Sequence, residues 1–164
     1  MNEQKWLIVR TNSRAEKLVA ERLTHIDVEN YLPIRRVLKQ YKDRKKWVDE
    51  ILIRGYVFVN ICEIDRKKVF DVGGITSFLF VNKKIAIVTQ KEIELLKIFC
   101  KLDEVKIESK GFEIGDAVEV IDGILIGMRG VLQESQNGNK LSVYIEALGL
   151  FAKINIKMSE IRKI

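Results

Sequence analysis

The stretch Ile53-Arg54-Gly55-Tyr56-Val57-Phe58-Val59-Asn60 decides the fold of this chain. It is rich in branched and aromatic side chains, which fit a pleated, half-buried surface, so it predicts a strand. Because side chains alternate along a strand, Tyr56 and Phe58 share one face while Val57 and Val59 share the other. Both faces are therefore apolar. A central strand buried on both sides would explain this pattern, and so would an aromatic face that binds a partner; the surrounding residues favour the partner.

Length and composition limit the class of protein. The 164 residues suffice for one domain or two small ones, and a hydrophobic content of 47% permits a core. The apolar runs are short, and the first five residues lack the apolar core of a signal peptide, so we expect neither a membrane span nor secretion. Cys62 and Cys100 lie far apart without metal-ligand spacing, which predicts reduced thiols in a cytoplasmic protein and no metal site.

Positive charge is concentrated in the first two-thirds of the chain. Residues 1–111 hold 23 lysine and arginine residues against 16 acidic ones, a net charge of +7. Residues 112–164 hold 6 against 7, a net charge of −1. This distribution predicts a basic N-terminal domain that meets nucleic acid or an acidic protein, joined to a near-neutral second domain. We place the first domain at 1–101, a linker at 102–111 and the second domain at 112–164.

Hydrophobic periodicity predicts an α+β sandwich for the first domain. The pattern predicts strands at 5–11, 53–60, 75–81 and 85–88, and an extended piece at 28–33. A helix follows the first strand and buries Ala15, Leu18, Val19 and Leu23. A second helix runs from Glu63 to Val72 and is ended by Gly73-Gly74, and a third helix follows the last strand. Capping boxes at Ser13–Glu16 and Thr89–Glu92 mark two helix starts, although Asn12 is an alternative cap for the first. We expect the helices on one face of a mostly antiparallel sheet, which leaves the other face for Tyr56 and Phe58, or their neighbours, to meet a partner.

The densest positive charge lies at 35–46, where seven basic residues accompany one acid, Asp43. The alternating apolar residues predict a β-hairpin with its turn near 42–45. A charge run is by default a solvated surface. This one carries a single sign and is interleaved with Tyr41 and Trp47, which favours nucleic acid nearby.

The second domain shows only short strands and turn signals. Strands are predicted at 117–121, 130–134, 141–146 and 151–156, and Asn137-Gly138 favours a tight hairpin turn because it accepts a positive φ. Roughly five short strands in so few residues predict a small β-barrel, which removes open sheet edges.

The order of these motifs resembles the NusG-type transcription elongation factors. The matching N-terminal residues are Trp6-Leu7-Ile8-Val9 before a helix that contains Glu16, then Tyr31-Leu32-Pro33 and Gly55-Tyr56-Val57-Phe58-Val59. Residues 115–123, with Gly127 and Gly130, are similar to the KOW motif that ends that family. The resemblance covers nearly the whole chain. It implies an N-terminal NGN α/β sandwich, with an antiparallel sheet and helices, followed by a small SH3-like KOW β-barrel.

Two further stretches narrow the resemblance. Asp43-Arg44-Lys45-Lys46-Trp47 and Thr11-Asn12-Ser13-Arg14-Ala15-Glu16 look most like the UpxY group. Those proteins are specialised NusG paralogues, functionally akin to RfaH, that antiterminate transcription of long polysaccharide operons. Arg54 departs from the family pattern, in which proline often precedes Gly55, and Leu125 stands where an aromatic residue is common.

The resemblance also implies partners and contact residues. An apolar depression would bind the clamp helices of the largest RNA polymerase subunit, through Trp6, Tyr56, Val57 and Phe58. A second contact across the DNA channel would keep the polymerase closed and suppress pausing, through Arg66, Lys67, Lys68, Gly73 and Gly74. The first helix would read the non-template DNA strand, whose exposed bases offer stacking faces, through Asn12, Arg14, Lys17 and Arg22. The KOW barrel would bind a ribosomal small-subunit protein or Rho, through Leu125, Ile126, Met128 and Arg129.

Other classes of protein fit the sequence less well. His25 is the single histidine, and no nucleophile–base set, phosphate-binding glycine loop or metal cluster accompanies it, so we expect no enzyme and no cofactor. A general NusG-like elongation factor without operon selectivity is one alternative. A KOW-containing ribosome- or RNA-binding protein is another. We expect a monomer whose second domain stays a permanent barrel.

Overall fold

A computed structural model of the chain describes residues 3–102, 105–108, 117–123, 125–135, 138–145, 150–155 and 160–164. The chain divides into two compact units, with the boundary between Cys100 and Lys101. Some sequence expectations fall on residues outside the described ones: the linker at 103–104 and 109–111, the start of the KOW motif at 115–116, Asn137 of the predicted turn, and the last residues, 146 and 156, of two predicted strands. None of the described helices is long and apolar enough to cross a membrane.

The first unit is built around a mixed set of strands and helices. Its elements are β1 (Lys5–Thr11), α1 (Glu16–His25), β2 (Glu29–Tyr31), β3 (Ile34–Gln40), β4 (Lys45–Ile51), β5 (Tyr56–Ile61), a 3₁₀ turn (Glu63–Asp65), α2 (Arg66–Phe70), β6 (Ile75–Phe78), β7 (Phe80–Val81), β8 (Lys84–Ile85), β9 (Ile87–Val88) and α3 (Gln90–Phe99). The main sheet has the order β2-β5-β1-β6, with β9 also paired to β1, and its pairings are antiparallel. Strand β1 is thus central, which explains why Trp6, Leu7, Ile8 and Val9 are all buried.

Helices cover both faces of this sheet, so the expectation that they lie on one face is wrong. On the first face, side chains of β1 and β5 pack against α1 and α2 in one core that includes Leu7, Val9, Val19, Leu23, Val57, Val59 and Val69. Helix α3 covers the second face. Trp6 Nε1 donates a 2.9 Å hydrogen bond to Gln90 Oε1 at the start of α3, and the Tyr31 hydroxyl lies 3.7 Å from Cys100 Sγ at its end.

The two helix starts behave differently. At α3 the predicted capping box is confirmed: Thr89 Oγ1 accepts from the Glu92 amide, and Glu92 accepts from the Thr89 amide. At α1 the prediction is wrong, because no side chain caps the helix and the Glu16 carboxylate is used elsewhere. Glu16 is only 4% exposed, whereas Leu18, predicted to be buried, is 46% exposed.

The predicted charged hairpin is confirmed as β3–β4, with Gln40 opposite Lys45 and the Tyr41 amide bonded to the Arg44 carbonyl at 2.8 Å. It forms a two-stranded sheet separate from the main one, as does β7–β8. The chain therefore returns from the hairpin into β5 without adding a strand to the main sheet.

The second unit is a single antiparallel sheet in its described part. Its strands are β10 (Val105–Glu108), β11 (Ala117–Val120), β12 (Arg129–Ser135), β13 (Gly138–Ile145), β14 (Leu150–Asn155) and β15 (Ile161–Lys163). They follow the order β10-β14-β13-β12-β11-β15. The prediction of an irregular linker over 102–111 is wrong for Val105–Glu108, because this segment pairs with β14 from Val105↔Ile154 to Glu108↔Phe151. The linker was predicted because these residues are charged and lack periodicity. Whether a segment forms a strand also depends on a neighbouring strand with a free edge, which β14 provides here.

Candidate functional site

Strand β5 buries most of the residues predicted to form an exposed aromatic surface. Phe58 and Val57 are completely inaccessible, and Trp6 is 8% exposed. Phe58 lies between Ile8 and Tyr31 in the sheet register, and its ring centroid is 6.3 Å from that of Tyr31. The expectation of exposure is therefore wrong for these three predicted contacts. The reason is that α3, which is distant in sequence, packs on the side of the sheet that carries Trp6 and Phe58, whereas Val57 points to the opposite side and packs with residues of α1 and α2.

Tyr56 is the one member of that group with a partly exposed side chain. It opens β5 directly opposite Arg10, whose guanidinium carbon lies 5.9 Å from the centre of the tyrosine ring. Gly55 precedes it with φ +82°, a conformation that favours glycine and turns the chain into the strand. Tyr56 and Arg10 together present an aromatic and a cationic group at the end of the sheet.

A cleft of about 900 Å³ separates the start of α1 from the β3–β4 hairpin. Two predicted DNA-binding residues, Arg14 and Lys17, line its helix side, and Lys39 and Arg54 line it from the hairpin and the segment before β5. The Gly55 amide donates a 2.7 Å hydrogen bond to Glu16 Oε1, which fixes these two sides relative to each other. The cleft therefore gathers basic residues from three separate parts of the sequence.

Three acidic residues line the cleft; Glu16 and Glu50 have hydrogen-bond partners, and Asp49 is exposed. Glu50 Oε2 accepts from Arg35 Nε at 3.1 Å and from Arg35 Nη2 at 2.9 Å, and Lys39 Nζ lies 3.4 Å from Glu50 Oε1. Hydrogen bonding to Arg35, with a smaller contribution from Lys39, holds the pKa of Glu50 below its ordinary value. Glu16 is bound to Gly55, as described above. The lining residues carry four positive charges, on Arg14, Lys17, Lys39 and Arg54, against the three acidic groups, so the cleft keeps a small excess of positive charge.

The other two predicted DNA-binding residues lie elsewhere, at a turn assigned to a different partner. Arg22 Nη1 donates a 2.6 Å hydrogen bond to the Gly73 carbonyl, and the Asn12 amide donates to the Gly74 carbonyl at 2.8 Å. A Cβ atom on Gly74 would lie 2.8 Å from Val19 Cγ2, and Gly74 has φ +100°. These glycines thus allow close packing on α1. The structure joins two groups of residues that the sequence assigned to separate sites.

The three basic residues of the predicted second polymerase contact differ in their surroundings. Arg66 pairs with Glu63 at 3.1 Å and stacks over Phe78 at 5.6 Å. Lys68 Nζ donates a 2.7 Å hydrogen bond to the Ile26 carbonyl. Lys67 is exposed. Arg66 and Lys68 thus hold α2 to its neighbours, and Lys67 offers an exposed charge.

The residues predicted to bind the KOW partner are split between the interior and the surface. Leu125 and Met128 are each 7% exposed, so the expectation that both form a partner surface is wrong. The chain turns tightly here: the Met128 amide donates to the Leu125 carbonyl at 3.0 Å, and Gly127 has φ +82°. That turn directs both end residues inward and leaves Ile126 and Arg129 exposed.

Sequence reasoning missed Lys39 and Arg54 as members of the cleft. Arg54 carried a signal, since it departs from the family pattern directly before Gly55. Lys39 carried only the general charge of the hairpin. The bond from the Gly55 amide to Glu16, which connects the segment before β5 to the start of α1, had no local signature in the sequence.

Comparisons with known proteins agree with this architecture. A family model described as "Transcription termination factor nusG" matches residues 4–97. The transcription termination/antitermination protein NusG of Rickettsia conorii is 25% identical over 177 aligned positions, covering 99% of this chain and 91% of the relative. The corresponding protein of Chlamydia pneumoniae is 25% identical, with coverage of 92% and 90%.

A solved structure shows the same fold. The structure titled "Domain interaction in Thermotoga maritima NusG" has a TM-score of 0.58 and 27% sequence identity, covering 99% of this chain and 98% of the other. The predicted α+β architecture, an NGN unit followed by a KOW unit, is thereby confirmed. Since the family model covers more than half of the residues, this chain belongs to the NusG family of transcription factors.

Proposed function

We propose that this protein is an antitermination factor that binds the clamp helices of RNA polymerase and suppresses pausing or termination on specific long operons of the polysaccharide type. It acts in the cytoplasm as a monomer and is recruited through the non-template DNA strand. Membership of the NusG family supports the polymerase partner. The likeness of residues 11–16 and 43–47 to the UpxY group supports the operon selectivity.

Tyr56 is the residue that we propose for direct contact with the clamp. It is partly exposed and has Arg10 beside it, whereas Trp6, Val57 and Phe58 form the core beneath. A tyrosine supplies a rigid ring and a polar hydroxyl, a combination that is enriched among the residues that dominate binding energy. The buried residues would then support the contact by fixing the strand that carries it.

The cleft is the site that we propose for the non-template strand. Arg14 and Lys17 face Lys39 and Arg54 across it, and a phosphate backbone binds such a groove by releasing its counterions.

Asn12 and Arg22 have a different role in this proposal: they hold the Gly73–Gly74 turn and so position the segment of the second polymerase contact. Lys67 supplies the exposed charge of that contact. In the KOW unit, Ile126 and Arg129 are the proposed contacts for a ribosomal small-subunit protein or Rho.

The observation that carries the proposal is the family match over residues 4–97, which includes Tyr56 and the whole cleft. The experiment is run-off transcription with purified polymerase on matched templates, with and without a polysaccharide-operon leader. We expect fewer paused and terminated products only with the leader. Arg14→Ala with Lys17→Ala should remove the leader dependence and leave polymerase binding intact. Lys84→Ala with Lys91→Ala, which removes the same charge from exposed positions elsewhere, is the matched control.

A general elongation factor is the second candidate, because the curated relatives are described simply as NusG. The same assay separates the two functions. An equal effect on all templates would support the general factor and contradict the operon-specific one. The absence of any polymerase binding by the full chain would contradict both.

A further inference from the structure

The tip of the β3–β4 hairpin is a basic surface with exposed aromatic side chains that the proposed function does not use. Residues 34–51 contain seven basic and three acidic residues, a net charge of +4. One of these acids, Glu50, is bound by Arg35 and Lys39. The other two are exposed: Asp43 lies in the turn, and Asp49 lies opposite Arg36. The remaining basic residues are exposed; they are Arg36, Lys42, Arg44, Lys45 and Lys46.

The apolar residues of this hairpin are unusually accessible. Leu38 and Trp47 lie directly opposite each other on neighbouring strands, and they are 48% and 55% exposed. Tyr41, in the turn, is 47% exposed. Alternation along β3 places Arg36 on the same face as Leu38, and its guanidinium carbon lies 6.0 Å from the centre of the Trp47 indole. An aromatic ring, an aliphatic neighbour and a stacked guanidinium thus share one face.

We infer that this face binds single-stranded nucleic acid, with a base stacked on Trp47 and phosphates held by Arg36 and Lys45, which lie on the same face as the indole. An exposed ring stacks on any base, and the surrounding positive charge follows the backbone, which is the combination that single-strand binding surfaces use. Duplex nucleic acid would satisfy the charges but would leave the indole without a base to contact. An acidic protein is disfavoured because the exposed Trp47 and Leu38 offer too little apolar area for a stable protein interface.

The surface does not require the polymerase contact of Tyr56, so it is tested with the full chain and without polymerase. The probe is a short labelled single-stranded DNA of mixed sequence, followed by fluorescence anisotropy, with an RNA of the same sequence and a DNA duplex as further arms. Trp47→Ala should lower the affinity roughly 5- to 150-fold, the range expected for one stacked base. Trp47→Phe, which keeps a ring, should lose less.

The salt dependence tests the phosphate contacts. Lys45→Gln should flatten the plot of log affinity against log salt by about 0.7, the contribution of one phosphate contact on a single strand. Lys84→Gln removes one charge from an exposed position of β8 and should leave the slope unchanged. An equal loss in this control would show a general charge effect and would overturn the site.

Tryptophan fluorescence gives a second readout that does not depend on a damaging substitution. The chain has two tryptophans, of which Trp6 is buried and bonded to Gln90. Binding should quench Trp47, and Trp47→Phe should abolish the quenching. Binding of either DNA or RNA strands supports the site and identifies its ligand. Tighter binding of the duplex, or no quenching with the wild-type chain, would overturn it, whereas loss of polymerase binding alone would contradict only the proposed function.

Discussion

Glu16 Oε1 accepts a 2.7 Å hydrogen bond from the Gly55 amide, across 39 residues of sequence. The carboxylate is buried in the first turn of α1 and reaches the segment that leads into β5. This one bond connects the start of α1, with Arg14 just before the helix and Lys17 within it, to the segment that leads into the strand of Tyr56. It therefore couples the proposed DNA cleft to the proposed polymerase contact.

Replacing Glu16 tests that connection. Glu16→Ala leaves the Gly55 amide without its acceptor, and we expect the free energy of unfolding to fall by about 1–3 kcal/mol. Glu16→Gln keeps an acceptor oxygen and should cost less. Urea unfolding followed by tryptophan fluorescence is suitable, because Trp6 and Trp47 both lie in the first unit. Glu21→Ala, an exposed position of α1, is the control; an equal loss there would contradict a specific role for the Glu16 bond.

Substitutions of Phe58 and Tyr56 should have different effects, the first on the stability of the fold and the second on polymerase binding. Phe58→Ala removes a completely buried ring, so we expect a loss of about 3–5 kcal/mol in the free energy of unfolding. Tyr56→Ala should change stability by less than about 1 kcal/mol. It should weaken binding to purified polymerase roughly tenfold, a typical effect for an interfacial tyrosine. Tyr41→Ala, a partly exposed tyrosine of the hairpin, is the matched control. Unchanged polymerase binding by Tyr56→Ala would remove this residue from the interface.

Alanine substitutions at Gly74 and Gly55 allow the cost of a steric clash to be compared with the cost of backbone strain alone. Both have positive φ values, but a Cβ on Gly74 would meet Val19 Cγ2 at 2.8 Å, and one on Gly55 would have no neighbour within 4 Å. Gly55→Ala should therefore cost about 1 kcal/mol from conformation alone. Gly74→Ala should cost about 1–3 kcal/mol more, since the packed turn must shift. Equal losses in urea unfolding would show that contact with Val19 is unimportant.

The ion pairs of Glu50 should make the stability depend on pH. Its pKa in the folded chain lies below the ordinary value of 4.5, chiefly because of Arg35. The pairs therefore stabilise the fold fully above pH 4.5, and this contribution disappears as the pH falls through the folded-state pKa. Wild type should exceed Glu50→Gln in stability by about 1 kcal/mol at neutral pH, with the difference vanishing in acid. A difference that persists at low pH would contradict this origin, and Glu21→Gln serves as the control.

Local patterns in the sequence predicted the elements that depend on neighbouring residues. The capping box at Thr89–Glu92 and the hairpin turn after Gln40 each involve residues within a few positions of one another. The strand at 56–61 followed from its branched and aromatic residues. Such signals reflect backbone preferences, which act within one turn or one strand pair.

The predictions that were wrong concern residues whose surroundings are set by contacts between distant parts of the sequence. Trp6 bonds to Gln90 across 84 positions, and Arg22 bonds to Gly73 across 51. The first contact helps α3 to cover Phe58. Because of the second contact, Arg22 binds the Gly73–Gly74 turn and does not line the cleft with Arg14 and Lys17. Alternation along β5 showed that both of its faces are apolar, but it gave no information about which helix covers each face.

The base of the β3–β4 hairpin is closed by a single 2.8 Å hydrogen bond from the Leu52 amide to the Pro33 carbonyl, and in the described part of the chain β3 and β4 form a sheet of their own. Substitutions, insertions or deletions at its tip leave every ladder of the main sheet in register. The β3–β4 hairpin can therefore change in sequence and length while the main sheet keeps its structure. If the face proposed above binds nucleic acid, a homologous hairpin grafted between these two residues should transfer its own nucleic-acid preference to this chain while the main sheet stays unchanged.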